Sequence, residues 1–165
     1  MSADGNILKA AILVSSDRAA QGIRPDLGGP ELSKRLGDLG YQIACLKVVP
    51  DDKKAIIGAL RKWVDESIPL ILTTGGTGLG PRDITPEATL EVIDRRVPGM
   101  EEVMRNKSLT ITAHAMLSRA VVGVAGQSLI INLPGNPKGA LQNLSFIEPA
   151  LPHALSLIRG EQADP

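Results

Sequence analysis

Short apolar runs alternate along the chain with segments whose apolar positions recur every three or four residues. Lys9 to Ser15 (KAAILVS), Gln42 to Val49 (QIACLKVV) and Leu70 to Thr74 predict three strands. The first is apolar on both faces, as a central parallel strand must be. A helix is expected to start near Pro30, a favoured first-turn residue, and to stop at Gly40. Another covers Lys53 to Ser67, where Ile56, Ile57, Leu60 and Val64 mark a buried face. Thr85-Pro86-Glu87 has the form of a helix start, with a hydroxyl cap, proline and an early acid. Pro98-Gly99 breaks that pattern, and a further helix runs through Met104. Ala120 to Val124 and Leu129 to Leu133 predict a hairpin turning at Gly126-Gln127. Helical material from Lys138 to Arg159 follows, interrupted at Pro149 and Pro152. Strand and helix in this alternation imply a mostly parallel central sheet with helices on both faces and an additional β-hairpin.

Composition narrows the picture. The 165 residues favour a single domain over residues 1–165. Hydrophobic residues make up 43% and aromatics only 2%, so the core must be aliphatic and rich in alanine. Eighteen basic residues balance eighteen acidic ones, and no global field steers the chain toward nucleic acid or an anionic membrane. Cys45 is the single cysteine, which excludes an intrachain disulfide and a cysteine-based zinc site. The polar start MSADGN is unlike a signal peptide, and no segment approaches the roughly 20 apolar residues that span a bilayer. A soluble, cytoplasmic protein is expected.

The polar stretches that could carry chemistry fall where strands end: Ser15-Ser16-Asp17-Arg18, Pro50-Asp51-Asp52, Thr73 to Asp83, and Pro134-Gly135-Asn136-Pro137-Lys138. In open parallel sheets ligands bind beyond the carboxyl ends of the strands. The third stretch is the most informative. Gly75, Gly76, Gly78 and Gly80 allow a close backbone approach, and Thr73, Thr74 and Thr77 add hydroxyl donors. Such a turn between a strand and a helix suits phosphate. Neither known phosphate fingerprint fits. Pro81-Arg82 stands where a P-loop needs Lys-Ser/Thr, and Pro81 replaces the third glycine of a dinucleotide loop. Asp83 beside this cradle would be repelled by phosphate unless a metal or a reaction required it. With Asp51 it could hold Mg²⁺ or position a nucleophile for phosphoryl or nucleotidyl transfer; alternatively Asp51 is a helix cap and Asp83 an ion-pair partner of Arg82 or Arg18. Arg18, Arg82, Arg119 and Lys138 are candidate anion clamps. His114 and His153 do not form a metal pair by spacing, and no G-x-S-x-G elbow supports a serine triad.

SDRAAQGIRPDLGG, VVPDD, TTGGTGLGPRDITPEAT, PGMEEVMR, AMLSRAVVGVAG and INLPGNPKGAL stand here in the order seen in the MogA/MoaB family of molybdenum-cofactor proteins, which the chain resembles over nearly all of Lys9 to Gly160. The resemblance implies a three-layer α/β/α fold, usually trimeric, and molybdopterin adenylyltransferase activity with ATP, Mg²⁺ and molybdopterin. It carries the family's two functional aspartates onto Asp51 and Asp83, and its pterin-binding hydroxyls onto Ser108 and Ser118, with Arg119 adjacent. The loops Ser15 to Arg18, Gly75-Gly76-Thr77-Gly78 and Pro134-Gly135-Asn136-Pro137 would face the nucleotide. Adenylylated molybdopterin would pass to a separate molybdate-inserting protein. Two departures stand out: Asp52 where glutamate is expected, and Gly139 where several relatives have serine or alanine.

A non-catalytic molybdopterin carrier or scaffold is the alternative from a different class. Retention of both Asp51 and Asp83 favours the enzyme, because mere anion binding gains nothing from nearby carboxylates. Molybdate insertion is disfavoured, since that role belongs to longer multidomain proteins.

Overall fold

The computed structural model describes residues 7–161; the polar start Met1 to Asn6 lies outside them. Six strands form one sheet: β1 (Lys9–Ser15), β2 (Gln42–Val49), β3 (Leu70–Thr74), β4 (Arg95–Arg96), β5 (Val122–Ala125) and β6 (Ser128–Leu133), in the order β2-β1-β3-β6-β5-β4. β1 pairs in parallel with β2 and β3, and β3 in parallel with β6. β5 runs antiparallel to both β6 and β4. The helices are α1 (Asp17–Ala20), α2 (Gly28–Asp38), α3 (Lys53–Asp65), α4 (Thr85–Leu90), α5 (Pro98–Leu109), α6 (Pro137–Ile147) and α7 (Leu151–Ile158), with 3₁₀ turns at Ala113–Leu117 and Glu148–Ala150.

Successive strand residues point to opposite faces, and the two cores follow from that rule. Ala10, Ile12 and Val14 of β1, Leu70 and Leu72 of β3, and Leu129, Ile131 and Leu133 of β6 pack with Leu32 and Leu36 of α2 and Leu144 and Leu155 of α6 and α7. Ala11, Leu13, Ile71 and Ile130 point the other way, onto Ile56, Ala59, Leu60 and Trp63 of α3 and Ala88 of α4. The sheet is thus covered on both faces, as its apolar central strands require. Cys45 is partly buried against this second core. Among the described residues, no helix is long and apolar enough to cross a membrane.

Most element boundaries match the sequence reading, and the departures have local causes. α3 ends at Asp65 because Ser67 takes φ +54° and Ile68 N–H returns to the Trp63 carbonyl. α5 runs past Met104 to Leu109. Pro149 does interrupt the last helical segment, lying in the 3₁₀ turn Glu148–Ala150, but Pro152 sits in the first turn of α7, where its missing N–H costs nothing. Within the polar loop after β1, Asp17–Ala20 forms one helical turn capped by Ser16. Thr85 is not the cap of α4: Ile84 occupies that place, and Thr85 is fully buried.

The sheet turns antiparallel around one polar residue. Asn132 of β6 is completely buried; its amide donates to Thr73 Oγ1 and Thr89 Oγ1, both at 2.9 Å, and its carbonyl oxygen accepts from Val121 N–H at 3.1 Å. One side chain thereby ties β6 to β3, to α4 and to the start of the hairpin. Asn132→Leu fills similar space but strips Val121 N–H of its acceptor, and is expected to cost about 1–3 kcal/mol. Urea unfolding of both proteins would measure it; equal midpoints and slopes would contradict this role.

Candidate functional site

The chain leaves β1, returns on one side as β2 and then crosses to the other side as β3, so the sheet has its topological switch between β1 and β3. A crevice opens there beyond the carboxyl ends of the strands, where open α/β sheets bind ligands. It is a cavity of about 410 Å³. Ser15 and Ser16 line it from the end of β1, Asp51 from β2, Gly75, Gly76 and Asp83 from the glycine loop. Gly135, Asn136 and Pro137 line it after β6, and Arg24, Pro25, Asp26 and Leu27 form the outer wall. A second cavity of about 500 Å³, with a more apolar lining, includes Thr77, Gly78, Arg105, Ser108, Ser118 and Pro134. Asn136 lines both. The two spaces therefore adjoin across the Pro134 to Pro137 turn.

Close backbone packing makes the floor. Gly75 has φ +98°, and a Cβ there would run into the Ser15 carbonyl oxygen. A Cβ on Gly135 would lie 3.3 Å from the Gly75 Cα. Gly75 N–H donates to the Leu133 carbonyl at 3.1 Å and Thr74 Oγ1 to the Pro134 carbonyl at 2.8 Å, so the ends of β1, β3 and β6 are drawn together. Gly76, at φ +66°, passes over the buried Thr85 hydroxyl, which has no hydrogen-bond partner among the described residues.

The adjacent aspartates after β2 divide the work. Asp52 caps α3, accepting from Ala55 N–H at 2.8 Å. Asp51 is thereby free to face the cavity, where Oδ1 accepts from Ser15 Oγ at 2.7 Å and Oδ2 from Asp17 N–H at 3.0 Å. Asp83 uses Oδ2 to accept from Gly80 N–H at 2.8 Å. Each carboxylate keeps oxygen lone pairs beyond these bonds.

Both arginines of the glycine-loop region are held by protein groups. Arg82 makes a two-pronged ion pair with Asp17 and donates to the Asp51 carbonyl at 3.1 Å. The bond from the Arg82 guanidinium to Asp17 holds the Asp17 carboxyl below the usual carboxylate range. Arg119 donates to the carbonyls of Gly78 at 2.8 Å and Asp83 at 2.6 Å and pairs with Glu87. Burial pushes Glu87 up, but the bond and charge of Arg119 outweigh it and leave Glu87 below its ordinary range.

A family model described as "Probable molybdopterin binding domain" matches residues 11–153. The chain belongs to this family. It is 43% identical over 160 residues to gephyrin of Dictyostelium discoideum, covering 91% of this chain but only 22% of that protein's length. To the molybdopterin adenylyltransferase of Helicobacter pylori it is 42% identical, with 90% of this chain and 86% of that one covered. The crystal structure of the molybdopterin biosynthesis enzyme MoaB from Thermus thermophilus superposes with a TM-score of 0.89 at 48% identity, covering 93% and 98% of the two chains. The MoaB structure shares the sheet covered by helices on both faces described above.

Within this molybdopterin-binding family fold, the residues singled out from sequence separate into three groups. Ser15, Ser16, Asp51, Gly75, Gly76, Asp83, Gly135, Asn136 and Pro137 line the first cavity. Thr77, Gly78, Ser108, Ser118, Pro134 and Lys138 line the second, with Asn136 shared. Arg18, Arg82 and Arg119 line neither. Ser108 Oγ donates to Asn143 Oδ1 at 3.4 Å, and Ser118 Oγ accepts from Ala120 N–H at 3.3 Å. His114 lies on the wall of the second cavity.

Sequence reasoning missed two cationic wall residues. Arg24 lines the first cavity and has no carboxylate partner among the described residues. Arg105 lines the second; it donates to the Ala120 carbonyl at 3.1 Å and is held by Glu101, a buried acid that also pairs with Arg96. The spacing of Glu101 and Arg105, four residues apart on a helix, was the available signal.

Gly75→Ala is expected to destabilise the protein by about 1–3 kcal/mol through backbone strain at the cavity floor. Gly37→Ala, in α2 with nothing within 4 Å of the new Cβ, is expected to stabilise by about 0.4–1 kcal/mol. Denaturant midpoints of the two variants would measure the contrast; a neutral Gly75→Ala would contradict the close-approach account.

Proposed function

We propose that this chain is a molybdopterin adenylyltransferase, acting in the cytoplasm as one molybdopterin-binding domain over residues 1–165 and assembled as a homotrimer. The observation that carries the reading is the pair of adjoining cavities, a polar one with two carboxylates and a more apolar one, sharing Asn136. Two substrates of different character, a nucleotide and a pterin, suit two such spaces. The names and coverage of the bacterial relatives support the same reaction.

The terminal phosphate oxygen of molybdopterin attacks the α-phosphorus of ATP. A new P–O bond joins pterin phosphate to AMP, the bond from the α-phosphorus to the bridging oxygen breaks, and pyrophosphate leaves with that oxygen. Little covalent work falls to the protein; positioning and charge neutralisation do most of it. The glycine turn brings backbone and hydroxyl donors to the phosphates, and Pro134 to Pro137 separates and aligns the two substrates. Asp51 and Asp83 fit Mg²⁺: both are oxygen donors on one cavity with lone pairs to spare. No cluster of three or more metal-binding side chains stands among the described residues. Few protein ligands, completed by substrate phosphates and water, is the pattern this ion favours. When bound, Mg²⁺ neutralises the phosphates and the pyrophosphate formed. The product passes to a molybdate-inserting protein.

Pyrophosphate release by the purified protein with molybdopterin, ATP and Mg²⁺, against controls lacking pterin, tests the reading. Pterin-dependent release with adenylylated pterin as product is expected. Asp83→Asn is expected to lose turnover while keeping molybdopterin affinity, and Asp51→Ala to abolish turnover. Tight pterin binding without release from the unmodified protein would instead favour the carrier.

A further inference from the structure

We infer that Asp17 and Arg82 are positioning residues that hold Asp51 in its working orientation, an inference resting on the adenylyl-transfer reading. Asp17 and Asp51 clasp each other twice: Asp17 N–H donates to Asp51 Oδ2 and Asp51 N–H to Asp17 Oδ1, each at 3.0 Å. Arg82 locks that clasp from outside, donating through Nε and Nη2 to the two Asp17 oxygens and through Nη2 to the Asp51 carbonyl at 3.1 Å. Ser15 Oγ completes the restraint on the remaining Asp51 oxygen. The main chain of Asp51 is thus fixed through both its N–H and its C=O, and its carboxylate through both oxygens.

Three loops meet in this arrangement, those following β1, β2 and β3. Neither Asp17 nor Arg82 lines either of the two cavities described, so they act through Asp51 rather than on a substrate. Stability alone is a weak explanation. The Arg82 side chain is 63% exposed, and an ion pair that open to water contributes little to folding. Its forked contact to one carboxylate and one carbonyl instead supplies direction, which arginine gives and lysine does not. A reacting group displaced by about 1 Å can cost a hundredfold in rate, so a fixed Asp51 has a use that a mobile one lacks. This assignment gives Arg82 a role other than the anion clamp its place beside the glycine loop suggests.

Asp17→Asn, Arg82→Gln and the double variant, made in the full chain, test it by steady-state pyrophosphate release, molybdopterin binding and amide hydrogen exchange. Each single variant is expected to lower kcat about 10–100-fold while the molybdopterin Kd and the KM for ATP stay within about twofold of the unmodified protein. Asp51 N–H is expected to exchange faster with β1 and β3 amides unchanged, and the double variant to be no worse than the poorer single one. Arg82→Lys, which keeps the charge and loses the fork, is expected to recover part of the rate, and it carries the test should Asp17→Asn fail to fold. An unchanged kcat in folded Asp17→Asn would overturn the inference. So would Arg82→Gln raising only the KM for ATP, which would make Arg82 an anion clamp. An unmodified protein that releases no pyrophosphate would defeat the adenylyl-transfer reading instead; unchanged Asp51 exchange in Asp17→Asn would then overturn the positioning role on its own.

Discussion

The contact between Gly75 and the carbonyl of Ser15 sets the scale of everything at the strand ends. With no Cβ in the way, the glycine loop turns directly over the end of β1, and Gly135 closes on Gly75 from the other side. The three parallel strands then deliver their loops to one small region. Were any side chain present at Gly75, the floor would lift and Ser15 would lose its place beneath Asp51. A hydrogen bond of 2.7 Å between Ser15 Oγ and Asp51 Oδ1 depends on that spacing. Backbone approach therefore comes first, and the carboxylate geometry follows from it.

Charge is distributed with the same economy. A cavity for polyphosphate would be expected to present arginines, yet Arg82 and Arg119 are turned onto Asp17, Glu87 and the loop's own carbonyls. They stiffen the glycine loop, which would otherwise carry a large conformational entropy. Of the arginines, Arg24 is left on the wall of the first cavity. On the proposed reading the two carboxylates call for a cation, because two anions facing a phosphate raise the cost of binding it.

The sheet was readable from sequence because its strands are apolar on both faces and its helices carry regular stripes; β1, β3 and the hairpin obey local rules. β4 was not, since two successive arginines show no alternation to detect, and their pairing to β5 is a tertiary event. The site was partly legible for the same reason. Glycine and proline announce turns locally, so the loops around Gly75 and Pro134 could be placed at strand ends. What could not be read was partnership. Arg82 lies 65 residues from Asp17 and Arg119 lies 32 from Glu87; no spacing rule connects them. The same limit meant that only the family resemblance, not the local residues, separated Asp51 from Asp52; in the structure α3 takes Asp52 as its cap.

That choice shows how local and global demands are reconciled. A helix start after β2 needs an acceptor for its free N–H groups, and the proposed reaction calls for a carboxylate in the crevice at nearly the same point in space. One aspartate could not do both, because a cap oxygen aimed at Ala55 N–H is aimed away from the cavity. Two in succession can, since extended backbone at Asp52 (φ −121°, ψ 126°) turns neighbouring side chains to opposite sides. The Asp52 side chain goes to the helix and that of Asp51 to the cavity, where Ser15 and Asp17 receive it. An aspartate in place of the expected glutamate at position 52 suits this division, because the shorter side chain is the better helix cap.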